Sequence, residues 1–202
     1  MTPFLRWIED DEATGHLARV YDQWRSESSG RTKIPDILKC FSLRPDFLEA
    51  AVRFSYDLHF ADGFLTRRQK ELIGTYVSAI NQCPYCRGSH AYFLECQVGA
   101  KTAEAVRTLN LDDADVTEAE RRLLDFAGIL TRESHTIRKE HIDRLHDAGW
   151  NDKQIAEGVY VAAMFALFNR IANAFGLVDP HYSEVLGGKD VPNRPAYRDD
   201  AS

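Results

Sequence analysis

Apolar residues recur along most of the chain at intervals of three and four, which is the spacing of amphipathic helices. Three of these runs follow a capping-box pattern, in which a small polar residue stands three positions before Glu or Gln. They begin at Thr66, Thr117 and Asn151. Further helices are predicted over residues 14–27, 46–59, 84–98, 102–108 and 138–148. Alternating strand patterns joined by hairpin turns do not occur in the sequence, so the pattern predicts an all-α fold.

The periodic pattern fades near the C-terminus, where Pro and Gly accumulate. A length of 202 residues is enough for one sizeable core. We therefore expect a single helical domain over residues 1–182 and an irregular tail over residues 183–202. The longest apolar run, residues 159–168, is about half of a membrane span and predicts a buried helix.

Composition and charge narrow the possible functions. The hydrophobic fraction of 44% and the charged fraction of 28% are ordinary for a soluble domain. A net charge of −6 without a basic stripe argues against a nucleic-acid partner. The N-terminus turns acidic before an apolar stretch of signal-peptide length develops, so we expect a cytoplasmic protein with no membrane partner. In that compartment a C-x-x-C pair is more often reactive or metal-binding than a structural staple.

Cys83 and Cys86 form such a pair, and His90 follows four residues later. Pro84 suits the first position of a helix, which would make Cys83 the N-cap residue and Cys86 the third helical residue. Free N–H groups and the helix dipole would favour a thiolate there. At about 100° per residue, the two sulfurs and the imidazole share one helix face. The N-cap position predicts that Cys83 is the more exposed thiol.

A carboxylate is expected beside this face. The preceding helix, from about Thr66 to Asn81, should pack antiparallel to the next one because the connection is short. Glu71 then lies nearest in level to His90. The predicted order of Glu71, His90, Cys86 and Cys83 describes an acid that orients a base beside a thiol, which is the arrangement of an activated nucleophile.

Zinc binding is the main alternative chemistry for these residues. Two cysteines and one histidine need a fourth ligand, and Cys96 is about 140° away from the shared face. His59 or Glu71 could supply that ligand. A thioredoxin-like site would require a βαβ setting that this chain lacks, and we favour a redox pair over a metal site.

Other chemistry-bearing residues are predicted to be structural. Cys40 and Cys96 are interpreted as small buried hydrophobic residues. Asn169, Arg170 and Asn173 lie on a very apolar helix, where we expect Arg170 to pair with an acid at a helix contact. Apart from its possible role as a fourth zinc ligand, His59 does not stand at a spacing from another candidate residue that would mark it as functional.

The spacing from Glu71 to Cys83, Cys86 and His90 resembles the E-x11-C-x-x-C-x-x-x-H signature of alkylhydroperoxidase D-like (AhpD-like) proteins of the carboxymuconolactone decarboxylase superfamily. The resemblance is strongest over residues 67–99, and the core motif covers residues 66–99. The N-terminal "DDEATGHLARVYDQW" and the late "FNRIANAFG" are similar to the longer, peroxidase-related branch. One position departs from some members, which carry histidine directly before the second cysteine; Tyr85 stands there.

The resemblance implies an AhpD-like helical bundle, assembled as a homo-oligomer, with thiol peroxidase activity on hydroperoxides, organic ones above all. It implies that Cys86 attacks the peroxide, that Cys83 resolves the product as a disulfide, and that His90 and Glu71 relay the proton. It also implies no bound cofactor and an external dithiol or lipoyl-type reductant protein. Three alternatives remain: a thiol–disulfide exchange or redox-sensing module, a carboxymuconolactone decarboxylase-type enzyme, and a zinc-stabilised binding protein.

Overall fold

In this computed structural model, residues 2–28 and 31–186 are described, and they form ten α-helices without a β-strand. The helices are α1 Gly15–Glu27, α2 Asp36–Lys39, α3 Pro45–His59, α4 Arg67–Ile80, α5 Pro84–Val98, α6 Ala100–Arg107, α7 Glu118–Glu133, α8 Lys139–Asp147, α9 Asp152–Phe175 and α10 Tyr182–Val185. Short 3-10 turns cover Leu111–Asp113 and Ser134–Thr136. The all-α prediction is confirmed.

The three predicted capping boxes all form. At the start of α4, the Gln69 backbone N–H donates to the Thr66 hydroxyl at 3.3 Å, and the Gln69 side chain accepts from the Thr66 backbone N–H at 2.9 Å. Thr117 and Asn151 cap α7 and α9 in the same reciprocal way. These local bonds satisfy N–H groups that have no partner inside the helix, so the sequence alone locates these helix starts.

Helix α4 is the centre of the core. It packs against α5, α7 and α9, and every residue from Lys70 to Ala79 is buried. At Gly74 the α9 side chain of Phe165 comes so close that an added Cβ would overlap its ring. Because α4 is surrounded, its polar side chains must find partners inside the protein.

Helix α9 is long and apolar enough, by length and composition, to cross a membrane. Within the fold it is a core helix, because 56% of its most apolar window is buried and it packs on α4 and α7. Its exposed side carries Tyr160 and Leu167.

Two short helices were not predicted. Helix α2 precedes Cys40, and α10 includes residues 183–185, which were expected to belong to an irregular tail. The Tyr182 side chain explains the second difference, because it packs on Phe93 of α5 with ring centroids 5.6 Å apart. The rest of the expected tail, residues 187–202, lies outside the described residues.

Candidate active site

The cysteine pair lies at the start of α5. Pro84 is the first helical residue and Cys83 is the N-cap, whose sulfur accepts the backbone N–H of Cys86 at 3.5 Å. Gln82, in the turn before it, has a positive φ of 51°. Both cysteines are free thiols. The core encloses Cys83 at this end of the helix, so the exposed fraction of Cys83 is 0%, against 4% for Cys86. The prediction that Cys83 is the more exposed thiol was wrong.

The two sulfurs differ in their electrostatics. The pKa of Cys83 is lowered, first by the hydrogen bond from the Cys86 thiol and also by backbone N–H groups and the Asn169 amide, against the effect of burial. The pKa of Cys86 is raised well above its usual value, first because its thiol donates to Cys83 and then because of burial. Of the two sulfurs, Cys83 therefore ionises first, whereas the sequence favoured a thiolate at both positions.

A buried carboxylate orients the predicted histidine. Glu71 is fully buried, and its Oε2 lies 2.8 Å from His90 Nδ1. Its Oε1 accepts from Arg67 Nε at 2.9 Å and Nη2 at 2.8 Å. Burial acts to raise the pKa of Glu71, but the surrounding side chains of His59, His90 and Arg67 hold it well below the usual value. Because an ionised carboxylate only accepts, Nδ1 of His90 is the donor, and in the neutral tautomer with this proton Nε2 is an acceptor.

His90 is not hydrogen-bonded to a sulfur. Its Nε2 makes no hydrogen bond within the described part of the chain, although His90 stands four residues after Cys86 on the same helix. Both residues nevertheless line one cavity. Glu71 and His90 are thus paired as helix geometry predicted, while the thiol pair forms a separate hydrogen-bonded unit.

A second histidine joins the acid from α3. His59 is fully buried, and its Nε2 lies 3.0 Å from Glu71 Oε1. The direction of this contact is poor for a hydrogen bond, and neither ring nitrogen has a hydrogen-bond partner. Burial is the main cause that lowers the pKa of His59 to about 4. His59 is therefore neutral near pH 7 and packs edge-on against the His90 ring, 5.0 Å away.

Three side chains of this cluster could in principle hold a cation. His59, Glu71 and His90 each offer a ligand atom, and these atoms lie within 4.8 Å of one another. The Arg67 guanidinium already occupies Oε1 of Glu71, however, and its buried positive charge opposes a metal ion. The grouping also differs from the predicted zinc alternative, because it contains neither cysteine.

An apolar cavity of about 80 Å³ opens above the cluster. Cys86, His59 and His90 line it, whereas Cys83 does not. Seven of its lining residues are aromatic, namely Tyr56, Phe60, Tyr85, Phe93, Phe165, Phe168 and Tyr182. A small organic molecule in this space would meet the Cys86 sulfur and the His90 ring together.

Sequence reasoning missed three members of the site. Arg67 stands four residues before Glu71, a helical ion-pair spacing that could have revealed it. His59 comes from a different helix and gave no local signal. Asn169 was assigned a structural role; its amide donates to Ser78 at 3.0 Å but also interacts with the sulfurs.

Two of the structural interpretations were wrong. Arg170 is exposed and donates to the backbone carbonyl of Ala166 at 2.6 Å instead of pairing with an acid in the described residues. Cys96 is exposed, whereas Cys40 is buried as expected.

Comparison with known proteins relates part of the sequence to a family and the fold to solved structures. Residues 45–128 match the model of the carboxymuconolactone decarboxylase family, and this span contains Glu71, both cysteines of the pair and His90. The fold matches the AhpD core of a peroxidase-related protein from Ralstonia eutropha JMP134 with a TM-score of 0.80 and 24% identity, covering 94% of this chain and 98% of that chain. The chain thus has an AhpD-like fold, and its residues 45–128 resemble the carboxymuconolactone decarboxylase family.

Other relatives extend this AhpD-like relationship. A peroxidase-related protein from Silicibacter sp. TM1040 has a TM-score of 0.72 and 25% identity, covering 81% of this chain and 84% of that chain. The debrominase Bmp8, in complex with 2,3,4-tribromopyrrole, shares the fold with a TM-score of 0.71 at 18% identity, over 94% of this chain and 99% of that chain. Sestrin-3 from Mus musculus is 27% identical over 81% of this chain. The AhpD-like chain spans 30% of the length of that relative.

Proposed function

We propose that this AhpD-like protein is a cytoplasmic, thiol-dependent peroxidase that reduces organic hydroperoxides through a dithiol–disulfide cycle of Cys86 and Cys83. The observation that carries the proposal is that Cys86 and His90 line one apolar cavity while buried Glu71 holds His90 at 2.8 Å. An apolar cavity suits an organic peroxide, and an oriented imidazole suits proton transfer.

In the proposed first step, Cys86 attacks the distal oxygen of the hydroperoxide because it is the sulfur that lines the cavity. Since the pKa of Cys86 is raised, the thiol needs a base at the moment of attack. His90 Nε2 takes the thiol proton through an intervening water and returns it to the leaving alkoxide. The S–O bond forms, the O–O bond breaks, and the products are an alcohol and a sulfenic acid on Cys86.

In the second step, the Cys83 thiolate attacks the Cys86 sulfenic acid. A disulfide forms, and the displaced hydroxide takes a proton and leaves as water. The lowered pKa of Cys83 suits this role, because it favours the thiolate that attacks the sulfenic acid. An external dithiol then reduces the disulfide by exchange. Both sulfurs are buried, so a slender dithiol such as a lipoyl-type arm suits them better than a broad protein surface.

Thiol titration tests the cycle. One equivalent of cumene hydroperoxide should remove two of the four thiols in each reduced chain. Cys86→Ser should abolish this reaction, and Cys83→Ser should stop it at a sulfenic acid that a dimedone probe captures. A Cys86→Ser variant that still forms sulfenic acid at Cys83 would reverse the two roles. Oxidation by protein disulfides at a higher rate than by the peroxide would instead support a redox-exchange module.

A carboxymuconolactone decarboxylase-type reaction is a second candidate. The family match is compatible with it, and the Glu71–His90 pair makes no hydrogen bond to either sulfur. An oriented imidazole could therefore move a proton at a carbon acid without the thiols. A Cys83→Ser/Cys86→Ser double variant that retains full turnover of a carboxymuconolactone would favour this reaction over the peroxidase.

A further inference from the structure

One formally charged side chain lines the cavity, and it has no acidic partner in residues 2–28 and 31–186. Arg31 shares the cavity wall with His90 and Cys86, and the other lining residues are apolar, aromatic, histidine or hydroxyl-bearing. Its Nη2 donates to the Tyr56 hydroxyl at 3.3 Å, and its guanidinium stacks over Trp24 at 5.0 Å. Its Nε is buried without a hydrogen-bond partner among the described residues.

Two other arginines with buried or partly buried side chains have acidic partners. Arg25, six residues earlier, pairs with Asp10 and Asp22, and Arg67 pairs with Glu71. Acidic residues outnumber basic ones, at 31 against 25, so counter-charges are plentiful. A partly buried guanidinium with an unpaired donor is therefore best explained by an anionic group that arrives with a ligand.

Aromatic contacts connect Arg31 with the residues of the proposed chemistry. Arg31 donates to the Tyr56 hydroxyl, the Tyr56 ring lies 4.8 Å from the Phe60 ring, and the Phe60 ring lies 6.4 Å from the His90 ring. Two aromatic rings therefore link the guanidinium to the imidazole. The cavity volume of about 80 Å³ is several times the roughly 10–15 Å³ that one water-sized probe needs.

We propose that the substrate is a hydroperoxide that carries a carboxylate, with Arg31 binding the carboxylate and a ring or short chain lying along Tyr56 and Phe60. This inference rests on the proposed peroxidase function and adds the substrate class to it. The planar guanidinium matches a carboxylate through paired N–H donors, which its unpaired Nε makes available. The hydroperoxide then reaches Cys86 beside His90.

A matched pair of substrates tests the inference kinetically. The probes are cumene hydroperoxide with a carboxylate at the para position and the methyl ester of the same compound. The wild-type protein should prefer the acid by about tenfold or more in kcat/KM, since one charge-assisted hydrogen-bond pair is worth at least that factor. Arg31→Gln should bring the ratio close to one, and Arg31→Lys, which keeps the charge but loses the planar donors, should give an intermediate ratio.

Lys33→Gln is the matched control, because it removes an equal charge from an exposed residue two positions away. It should leave the acid-to-ester ratio of the wild type. A wild-type ratio near one, or an equal loss of the ratio in Lys33→Gln, would overturn the assignment of Arg31.

Equilibrium binding separates this inference from the peroxidase itself. In the Cys83→Ser/Cys86→Ser variant, calorimetry with 4-isopropylbenzoate should give a Kd about tenfold lower than with its methyl ester, and adding Arg31→Gln should remove the difference. If the variant binds the carboxylate through Arg31 while the wild-type protein turns over no peroxide, the carboxylate site is supported and only the peroxidase is overturned. Equal binding of acid and ester would overturn the carboxylate site even if the peroxidase is active.

Discussion

Two buried carboxylates on neighbouring helices face cations from α4, and their surroundings differ. Glu71 on α4 contacts Arg67, and Glu157 on α9 contacts Lys70 at 2.8 Å. Lys70 also donates to the carbonyls of Leu58 and Ala61 at 2.8 and 2.7 Å. The second oxygen of Glu157 accepts the Leu65 backbone N–H at 2.6 Å. The three ammonium protons and both carboxylate oxygens of this pair therefore have partners.

In the cluster of Glu71, His59 and His90, by contrast, several polar atoms lack partners among the described residues. His59 has two unpaired ring nitrogens, His90 turns Nε2 away from the acid, and a cavity lies beside both rings. The Glu157 pair lines no part of that cavity and ties α9 to the loop after α3. Burial and ion pairing are common to both clusters, so neither marks chemistry by itself. Unpaired nitrogen atoms beside an accessible space distinguish the candidate active site.

Neutralising Glu71 should have the largest effect of all, a loss of activity that distinguishes its cluster from the Glu157 pair. Glu71→Gln preserves the size of the side chain but removes the charge that orients and stabilises protonated His90. We expect the rate of cumene hydroperoxide consumption to fall by about 10²–10³-fold, the usual contribution of a positioned acid–base group. Initial rates at equal concentrations of folded protein would measure this. A rate within tenfold of the wild type would exclude the proposed relay.

Neutralising Glu157 should affect stability instead. Glu157→Gln leaves the Lys70 ammonium buried without its counter-charge, so the free energy of unfolding should fall by about 3–5 kcal/mol. Urea unfolding would measure the loss, while the activity of the folded fraction should change by no more than about threefold because the site is separate. Glu133→Gln, an exposed substitution on α7, is the control and should shift stability by less than about 0.5 kcal/mol.

His59 should make stability depend on pH. Its pKa is about 4 in the folded protein against 6.5 for an ordinary histidine, so the unfolded chain binds more protons between these values and stability falls as the pH falls. From pH 6.5 to 4.5 the loss should be about 2–3 kcal/mol. Glu71 adds little in this window, because its lowered pKa matters only as the pH falls below 4.5. Urea unfolding at several pH values would measure the slope.

His59→Gln should flatten that slope, because the buried proton-binding group is removed. His135→Gln, at an exposed position, should leave it unchanged. An unchanged slope in His59→Gln would show that His59 is not the group responsible.

The smallest expected effect concerns the contact between α10 and α5 beside the cavity. The Tyr85 and Tyr182 hydroxyls lie 3.1 Å apart and join α10 to α5. Tyr85→Phe removes this bond. With a disulfide reagent, exposed Cys96 should react first and Cys86 slowly afterwards, and in the variant this slow reaction of Cys86 should accelerate by about threefold to tenfold. Tyr160→Phe, on the exposed side of α9, is the control. Equal rates in all three proteins would mean that α10 does not limit access to Cys86.

The sequence by itself determined the features that depend on neighbouring residues. Thr66, Thr117 and Asn151 begin helices because each caps backbone N–H groups within three residues. Pro84 sets Cys83 at the N-cap for a similarly local reason. The pairing of Glu71 with His90 required one further assumption, that a short turn makes adjacent helices antiparallel.

Only the tertiary structure decided which distant residues complete the site and where its charge lies. His59 reaches Glu71 from α3, and Asn169 reaches the sulfurs from α9, so no spacing within one helix could reveal either contact. The same packing encloses Cys83, sets its pKa below that of Cys86 and leaves Cys86 to face the cavity. Burial and through-space hydrogen bonds determine these properties, and both depend on elements that are far apart along the chain.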